Sequence, residues 1–398
     1  MKFATGFIAS CVGLVAVGCG SSSVKSDSGT SGSPTEFSSP GTGGGSAVMT
    51  SGTPGVSTST VPWSRPTVNP NPSCAGRRIG VYSWDASYWR GDNPELLNFL
   101  DSDMGREFAC GSTFINIADY SSPDLIPDPE KLVQFAKDFN SRVGNNEAVL
   151  FFTYGDVTSK DGNAMVTFTE TFFRWASSIS AADAAAMGRI GVSYDVEHIG
   201  PDFTKQVLLM GQDLRKSTPF GDDLVLQYTV EGDKNVLGTD YAFKYADSVL
   251  VMLYSNYITS PVLPADKNMF SQLKWLLTEQ CPRCLDDAYA TTNYKAQITV
   301  LVEASCQMGR SCSWASFCAY DAPEQGAHYL ADVLDTAEGM LLSSGVVNSE
   351  QYSRLFNLQS PYAVHNWEWY RCYAPFNQQF SYSNCGRYHS LASACRNN

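Results

Sequence analysis

Positive charges are scarce in this sequence. Its 398 residues include 27 Lys and Arg against 40 Asp and Glu, which gives a formal net charge of −13. No cluster of Lys or Arg occurs along the chain. Nucleic acids and anionic membrane surfaces are bound mainly through clustered basic side chains, so neither is expected as a partner.

The sequence also lacks the motifs of several enzyme classes. With 4 His in total, it has no H-E-x-x-H motif and no His cluster for a catalytic metal. No G-x-G-x-x-G follows the first predicted strand, and no G-x-S-x-G elbow joins a strand to a helix. We therefore expect neither a metal nor an organic cofactor.

Long apolar runs are rare, and the one at the N-terminus is shorter than the roughly 20 residues that span a bilayer. It follows Lys2 and ends in Ala-Val-Gly-Cys at Cys19. This pattern is typical of a secretory signal over residues 1–19, and it is also similar to a bacterial lipoprotein box. Both interpretations predict a secreted or extracellular protein without a transmembrane segment. The second adds a lipid anchor at Cys19, which would tether the protein to a surface.

Residues 20–73 are dominated by Ser, Gly, Thr and Pro. Such a segment buries too little apolar surface to offset the entropy lost on ordering, so we predict a disordered tether. Residues 74–398 contain ten of the twelve cysteines, most of them in the C-terminal third. An even number of cysteines in an exported chain indicates disulfides that staple the C-terminal loops. The motif Cys281-Pro-Arg-Cys284 lacks the second C-x-x-C of a zinc site, so it too favours a disulfide.

Short β-like runs alternate with helical patterns over residues 74–398. The runs are rich in β-branched and aromatic residues, which is typical of parallel strands covered on both faces. Eight such runs alternating with helices predict an α/β fold, a single (β/α)8 TIM barrel, with an open doubly wound sheet as the alternative. The predicted strands are 78–85, 112–119, 148–156, 189–197, 224–231, 248–256, 297–305 and 362–370.

Acidic residues lie at the ends of most predicted strands. Barrel active sites are found at the carboxyl ends of the strands, so we expect two to four of these acids in a polar cleft. In the fourth strand, Ser193, Asp195 and Glu197 share one face because side chains alternate along a strand. The acids at strand ends are Asp85, Asp119, Asp156, Glu197, Glu231, Glu303 and Glu368.

The fourth strand, I-G-V-S-Y-D-V-E, resembles the signature D-G-x-D-x-D-x-E of the family 18 glycoside hydrolases, the chitinases. Gly191, Asp195 and Glu197 match, whereas Ile190 and Ser193 replace the two earlier Asp residues. A serine can donate a hydrogen bond to Asp195 but cannot share a proton with it as an aspartate does. We therefore expect an altered pH profile and a lower rate.

Shorter matches to the same family follow in the order of the strands. In the sixth strand, Met252 and Tyr254 match M-x-Y-[DN], with Ser255 in place of the acid. The aromatic end of the first strand is similar to that of the family. The eighth strand resembles one that ends in the tryptophan flooring the sugar site, for which Trp367 is the candidate. The third strand lacks the paired glycines of the family.

The resemblance implies hydrolysis of β-linked N-acetylhexosamine polymers, such as chitin, by substrate-assisted retention. Glu197 would protonate the glycosidic oxygen, Asp195 would orient the 2-acetamido group of the substrate, and Tyr254 would hydrogen-bond its carbonyl oxygen. The expected partner is a glycan, and the protein is expected to be a monomer. Predicted sugar-binding residues are Ser193, Trp367, Trp84, Tyr82, Asn256 and Glu303.

Two alternatives stay open. The missing Asp positions and the aromatic content of 12% also fit a non-catalytic carbohydrate-binding barrel. A different retaining mechanism would use Glu197 as the acid and Glu303 as the nucleophile, with their carboxyl groups about 5 Å apart. His365 lies two positions before Trp367, so a strand that continued through both residues would place them on one face and bring His365 to the site.

Overall fold

The computed structural model describes the part of the chain that carries the predicted barrel. The predicted signal peptide and tether lie outside the described residues, as do the C-terminal tail and every cysteine except Cys281 and Cys284. No described helix is long and apolar enough to cross a bilayer. The described residues are 79–101, 111–143, 148–156, 162–196, 199–231, 238–253, 265–303, 326–357, 362–365 and 367.

Eight parallel strands in the described residues close into a barrel in chain order, with the last strand paired to the first. The predicted (β/α)8 barrel is therefore confirmed, and the open doubly wound sheet is wrong. Each strand lies within the run predicted for it. The strands are β1 Ile79–Ser83, β2 Thr113–Ala118, β3 Leu150–Asp156, β4 Ile190–Val196, β5 Val225–Glu231, β6 Ser248–Met252, β7 Gln297–Glu303 and β8 Tyr362–His365.

Helices follow the strands and cover the outside of the barrel. Short 3-10 turns are formed by Arg215–Ser217, Gly221–Asp223 and Pro282–Leu285, and a π-helical turn, Leu276–Gln280, extends the eighth helix. The helices are α1 Ser87–Arg90, α2 Glu95–Asp101, α3 Pro129–Val143, α4 Gly162–Ser178, α5 Ala181–Met187, α6 Pro201–Leu214, α7 Thr239–Tyr245, α8 Ala265–Trp275, α9 Asp287–Asn293, α10 Gly326–Ser343 and α11 Ser349–Leu355.

Side-chain alternation along the strands separates two apolar layers. Outward side chains such as Val192 and Tyr194 pack beneath the helices in one large cluster. Because the lumen of the barrel is packed rather than open, a functional cleft has to lie above it, at the carboxyl ends of the strands. The apolar side chains in the lumen are Tyr82, Phe114, Val149, Phe151, Leu250, Met252, Leu301 and Ala363.

The cysteines at 281 and 284 form a disulfide, and both residues are buried. The prediction that these cysteines form a disulfide, and not half of a zinc site, is therefore confirmed. It closes the turn between α8 and α9, where the chain leaves one helix and enters the next.

Gly80 allows β1 to approach the start of β2. A Cβ atom at Gly80 would lie 1.7 Å from the carbonyl oxygen of Ser112, which belongs to the backbone and cannot rotate away. We therefore predict that Gly80→Ala lowers the free energy of unfolding in urea by about 3 kcal/mol or more. Gly200→Ala is the matched control, because no atom lies within 4 Å of its Cβ position. Equal stability of the two variants would contradict this account.

Candidate active site

Strand β4 directs Ser193 and Asp195 into the lumen. Tyr194 and Val196 face outward, and the Tyr194 hydroxyl lies 3.0 Å from Oγ1 of Thr169 in α4. The predicted common face of Ser193 and Asp195 is therefore confirmed. Glu197 directly follows the strand and lies outside the described residues, so its role stays a prediction.

Asp195 is a buried acid at the carboxyl end of β4, with 4% of its surface exposed. The Tyr82 hydroxyl donates a hydrogen bond of 3.0 Å to its Oδ2 atom. Its Oδ1 atom is buried without a hydrogen-bond partner among the described residues. The two oxygens of the carboxyl group thus differ: Oδ2 is hydrogen-bonded to a residue of β1, whereas Oδ1 can accept a further hydrogen bond.

The surroundings of Asp195 raise the pKa of its carboxyl group to about 6. Burial is the main cause, because the charged form loses its hydration. The hydrogen bond from Tyr82 and the charge of His365 lower the pKa, whereas the nearby Glu231 carboxylate raises it. The group therefore exchanges its proton in the mildly acidic range.

Ser193 belongs to a buried polar chain that crosses three strands. Its hydroxyl donates to Oε1 of Gln227 at 3.1 Å, and Nε2 of Gln227 donates to Oγ of Ser248 at 3.0 Å. The sequence allowed a bond from Ser193 to Asp195, but in the structure the hydroxyl is used by Gln227. Gln227 was missed because a single amide forms no motif. The signal was its position on the same face of the predicted strand as Thr229 and the terminal Glu231.

Trp84 follows β1 and forms the aromatic wall of the site. The residue is 38% exposed, and its indole Nε1 donates to Nε2 of His365 at 2.6 Å. Its ring covers Gly155 of β3 so closely that a Cβ atom there would lie 2.3 Å from Cζ3. The centre of the Tyr82 ring lies 5.4 Å from that of Trp84. Tyr82 and Trp84 thus come together with Asp195, as expected for predicted site residues.

Trp367 does not lie with Tyr82, Trp84 and Asp195 in the site. It is fully buried in the outer apolar layer, with ring centres 4.9 Å from Phe99 and 5.7 Å from Tyr88. Strand β8 ends at His365, so the two-residue alternation that predicted a common face for His365 and Trp367 no longer applies. The common face is therefore wrong, whereas His365 does reach the site. In this conformation Trp367 offers no exposed surface on which a sugar could stack.

The acids at the strand ends divide into two groups. Asp85 and Asp119 are exposed, and each accepts a hydrogen bond of 2.8 Å from a backbone N–H two residues later. They cap turns, because a carboxylate satisfies N–H groups that begin a turn. Asp195 and Glu231 lie close enough to influence each other. The backbone of Glu303 is in register with His365, but its side chain is outside the described part of the structure.

Several predicted site residues lie outside the described part of the chain. Tyr254 and Asn256 follow β6 outside the described residues, together with Glu197. Within the described ranges, no group of three or more His, Cys, Asp or Glu side chains could hold a metal ion. The chemistry that can be read from the structure therefore rests on Asp195 and the side chains around it.

Comparison with known proteins gives only distant similarities. No family model and no curated protein matches the sequence. Similar solved structures include a xylanase and alpha-amylase inhibitor protein from Scadoxus multiflorus, with 10% identity and a TM-score of 0.44 over 81% of this chain and 98% of that one. A GH18 chitinase from Pseudoalteromonas aurantia has 11% identity and a TM-score of 0.37, over 72% of this chain and 93% of that one.

A GH18 chitinase from Cycas revoluta, solved as a mutant in complex with (GlcNAc)4, is a third similar structure. It has 13% identity and a TM-score of 0.36, over 57% of this chain and 68% of that one. These three similar structures are thus two GH18 chitinases and one inhibitor protein, all at low identity. At these identities they assign no role to any residue of this chain.

The raised pKa of Asp195 makes a prediction about stability. Since the pKa of about 6 in the folded state exceeds the ordinary aspartate value of 3.8, the folded protein binds the proton more tightly than the unfolded chain. This contribution to the free energy of unfolding is complete below about pH 4 and is lost as the pH rises through 6. The total loss is about 3 kcal/mol, at 1.36 kcal/mol per pKa unit. Asp195→Asn lacks this dependence.

The measurement is urea unfolding of the wild type and Asp195→Asn at pH 4, 5, 6 and 7. We expect the stability of the wild type relative to the variant to fall across this range. A difference that stays constant would show that Asp195 titrates as an ordinary exposed acid.

Proposed function

We propose that the protein is a secreted glycoside hydrolase of the chitinase type, which cleaves β-linked N-acetylhexosamine glycans with retention at the anomeric carbon. The observation that carries the proposal is the buried Asp195 carboxyl group, which has a pKa of about 6 and one oxygen held by Tyr82. A carboxyl group fixed in this way is suited to orient a polar group of the substrate. The predicted signal peptide supports export.

In the proposed reaction, Glu197 donates a proton to the glycosidic oxygen as its bond to the anomeric carbon breaks. The 2-acetamido carbonyl oxygen of the substrate bonds to that carbon from the opposite face, which gives a cyclic oxazolinium ion. Asp195 accepts a hydrogen bond from the acetamido N–H and stabilises the positive charge. Tyr254 donates to the carbonyl oxygen before it attacks.

Water completes the reaction. Glu197, now a carboxylate, takes a proton from a water molecule that attacks the anomeric carbon and opens the ring ion. The configuration of that carbon is retained because it has been inverted twice. The proton on Glu197 is restored for the next cycle, and Asp195 remains in place throughout.

The described surroundings of Asp195 fit this role. Tyr82 holds Oδ2, and Oδ1 has no hydrogen-bond partner among the described residues, so Oδ1 keeps its capacity to accept one further hydrogen bond. Glu231 adds negative charge near the developing cation. Trp84 supplies an exposed aromatic surface beside the acid, and the apolar face of a pyranose ring can pack on such a surface.

A non-catalytic sugar-binding barrel is the second candidate, and Ser193 is the observation that favours it. Its hydroxyl is bonded to Gln227, so Asp195 has no carboxylate neighbour on β4 with which to share a proton. A site with this arrangement can still bind and orient an acetamido group. Any hydrolysis there would require Asp195 to ionise without a neighbouring carboxylate.

Hydrolysis of a fluorogenic chitobioside by the full-length protein tests the proposal. We expect Glu197→Gln to lower kcat by about 10²–10⁴-fold, because that is the usual contribution of a general acid. Asp119→Asn is the matched control at another strand end, where the side chain only caps an exposed turn. It should leave kcat unchanged.

Three other results would redirect the proposal. Turnover that survives Glu197→Gln would remove Glu197 from the acid role. Binding of insoluble chitin without turnover, in the wild type and the variant alike, would favour the second candidate. Near-total loss of activity in Glu303→Gln, with rescue by azide, would identify a carboxylate nucleophile and contradict substrate assistance.

A further inference from the structure

We infer that His365 is a positioning residue, which fixes the indole of Trp84 as the sugar-stacking platform of the site. The inference rests on the proposed function for the identity of the ligand, an N-acetylhexosamine unit. It concerns a side chain for which neither the strand-four signature nor the other strand matches supply a role.

The first step is the placement of Trp84. It is the most exposed tryptophan among the described residues, whereas Trp367, the platform predicted from sequence, is fully buried. The Trp84 ring rests on the bare backbone of Gly155, where any larger residue would collide with it. One side of the ring is therefore supported by β3, and more than a third of the residue stays exposed to solvent.

The second step is the hydrogen bond that orients the ring. An indole has a single polar hydrogen, so one acceptor for Nε1–H sets the direction of the whole side chain. Nε2 of His365 is that acceptor, at 2.6 Å. Because His365 ends β8, the acceptor is carried by the barrel wall. The Tyr82 ring meets the imidazole edge-on, with ring centres 5.5 Å apart, which supports its orientation as well.

The third step connects the platform to the acid. Tyr82 contacts the rings of both Trp84 and His365, and its hydroxyl holds Asp195. A sugar packed on Trp84 would therefore lie over the residue that is proposed to orient its acetamido group. Tyr82 thus sets the position of the Trp84 ring relative to Asp195.

The protonation state of His365 makes its hydrogen bond with Trp84 dependent on pH. Nε2 can accept the indole proton only when it carries no proton itself, so a neutral imidazole is required. Histidine ordinarily titrates near pH 6.5. Asp195 is the acid that interacts electrostatically with this one, and Glu303 is in register with it on β7. Protonation of His365 breaks the bond to Trp84 and releases the platform.

The first test needs no substrate. In protein labelled with 15N-tryptophan, the indole signal of Trp84 is assigned by its absence in Trp84→Phe. At pH 8 we expect a strongly downfield indole proton in the wild type and in His365→Gln, whose side-chain oxygen replaces Nε2 as acceptor. We expect an upfield shift in His365→Leu. Between pH 8 and 5 the signal should move in the wild type but not in His365→Gln. An unchanged signal in His365→Leu would overturn the inference.

The second test measures sugar binding and turnover with chitotetraose. We expect His365→Leu to raise KM about tenfold, because binding on Trp84 is lost, and His365→Gln to restore KM. If the wild type binds chitotetraose without turnover, the proposed hydrolysis is wrong. The inference is then tested by comparing the Kd values of the wild type and the variants in place of KM. An indole signal that responds as expected, together with an unchanged KM or Kd in His365→Leu, would contradict the role of Trp84 as platform.

Discussion

The hydrogen bond from the Tyr82 hydroxyl to Asp195 joins β1 to β4 across the lumen of the barrel. Burying a carboxyl group is costly unless it is paired or protonated, and this single donor is what the described residues provide. The pKa of about 6 follows from that imbalance. The rest of the site is arranged around it, since Tyr82 also contacts Trp84 and His365.

The barrel explains why such an arrangement can persist. The outer apolar layer, between strands and helices, carries most of the packing and leaves the inward positions near the carboxyl ends free for polar side chains. Ser193, Gln227 and Ser248 satisfy one another across three strands, so the polar layer below Asp195 costs little. Stability and chemistry are thus supplied by opposite faces of the same strands.

The fold could be predicted because every strand is a run rich in β-branched, aromatic or Leu residues and helical patterns lie between the runs. The short helix α5 has no amphipathic period over its seven residues, so its Ala content and the N-cap at Ser180 are the only signals for it. Alternation along β4 correctly placed Ser193 and Asp195 in the lumen. It failed for Trp367, since the rule holds only within a strand and β8 ends at His365. The bond between Tyr82 and Asp195 joins residues 113 positions apart, and only closure of the barrel brings them together.

The most direct test of this account is a pH titration of the Asp195 carboxyl carbon by NMR. The protein would carry 13C-labelled aspartate, and the signal would be assigned by its absence in Asp195→Asn. We predict a midpoint near pH 6, as expected for a buried carboxyl group held by one hydroxyl donor. A midpoint near the ordinary aspartate value of about 3.9 would contradict the account, because it would mean that Asp195 is solvated or fully paired.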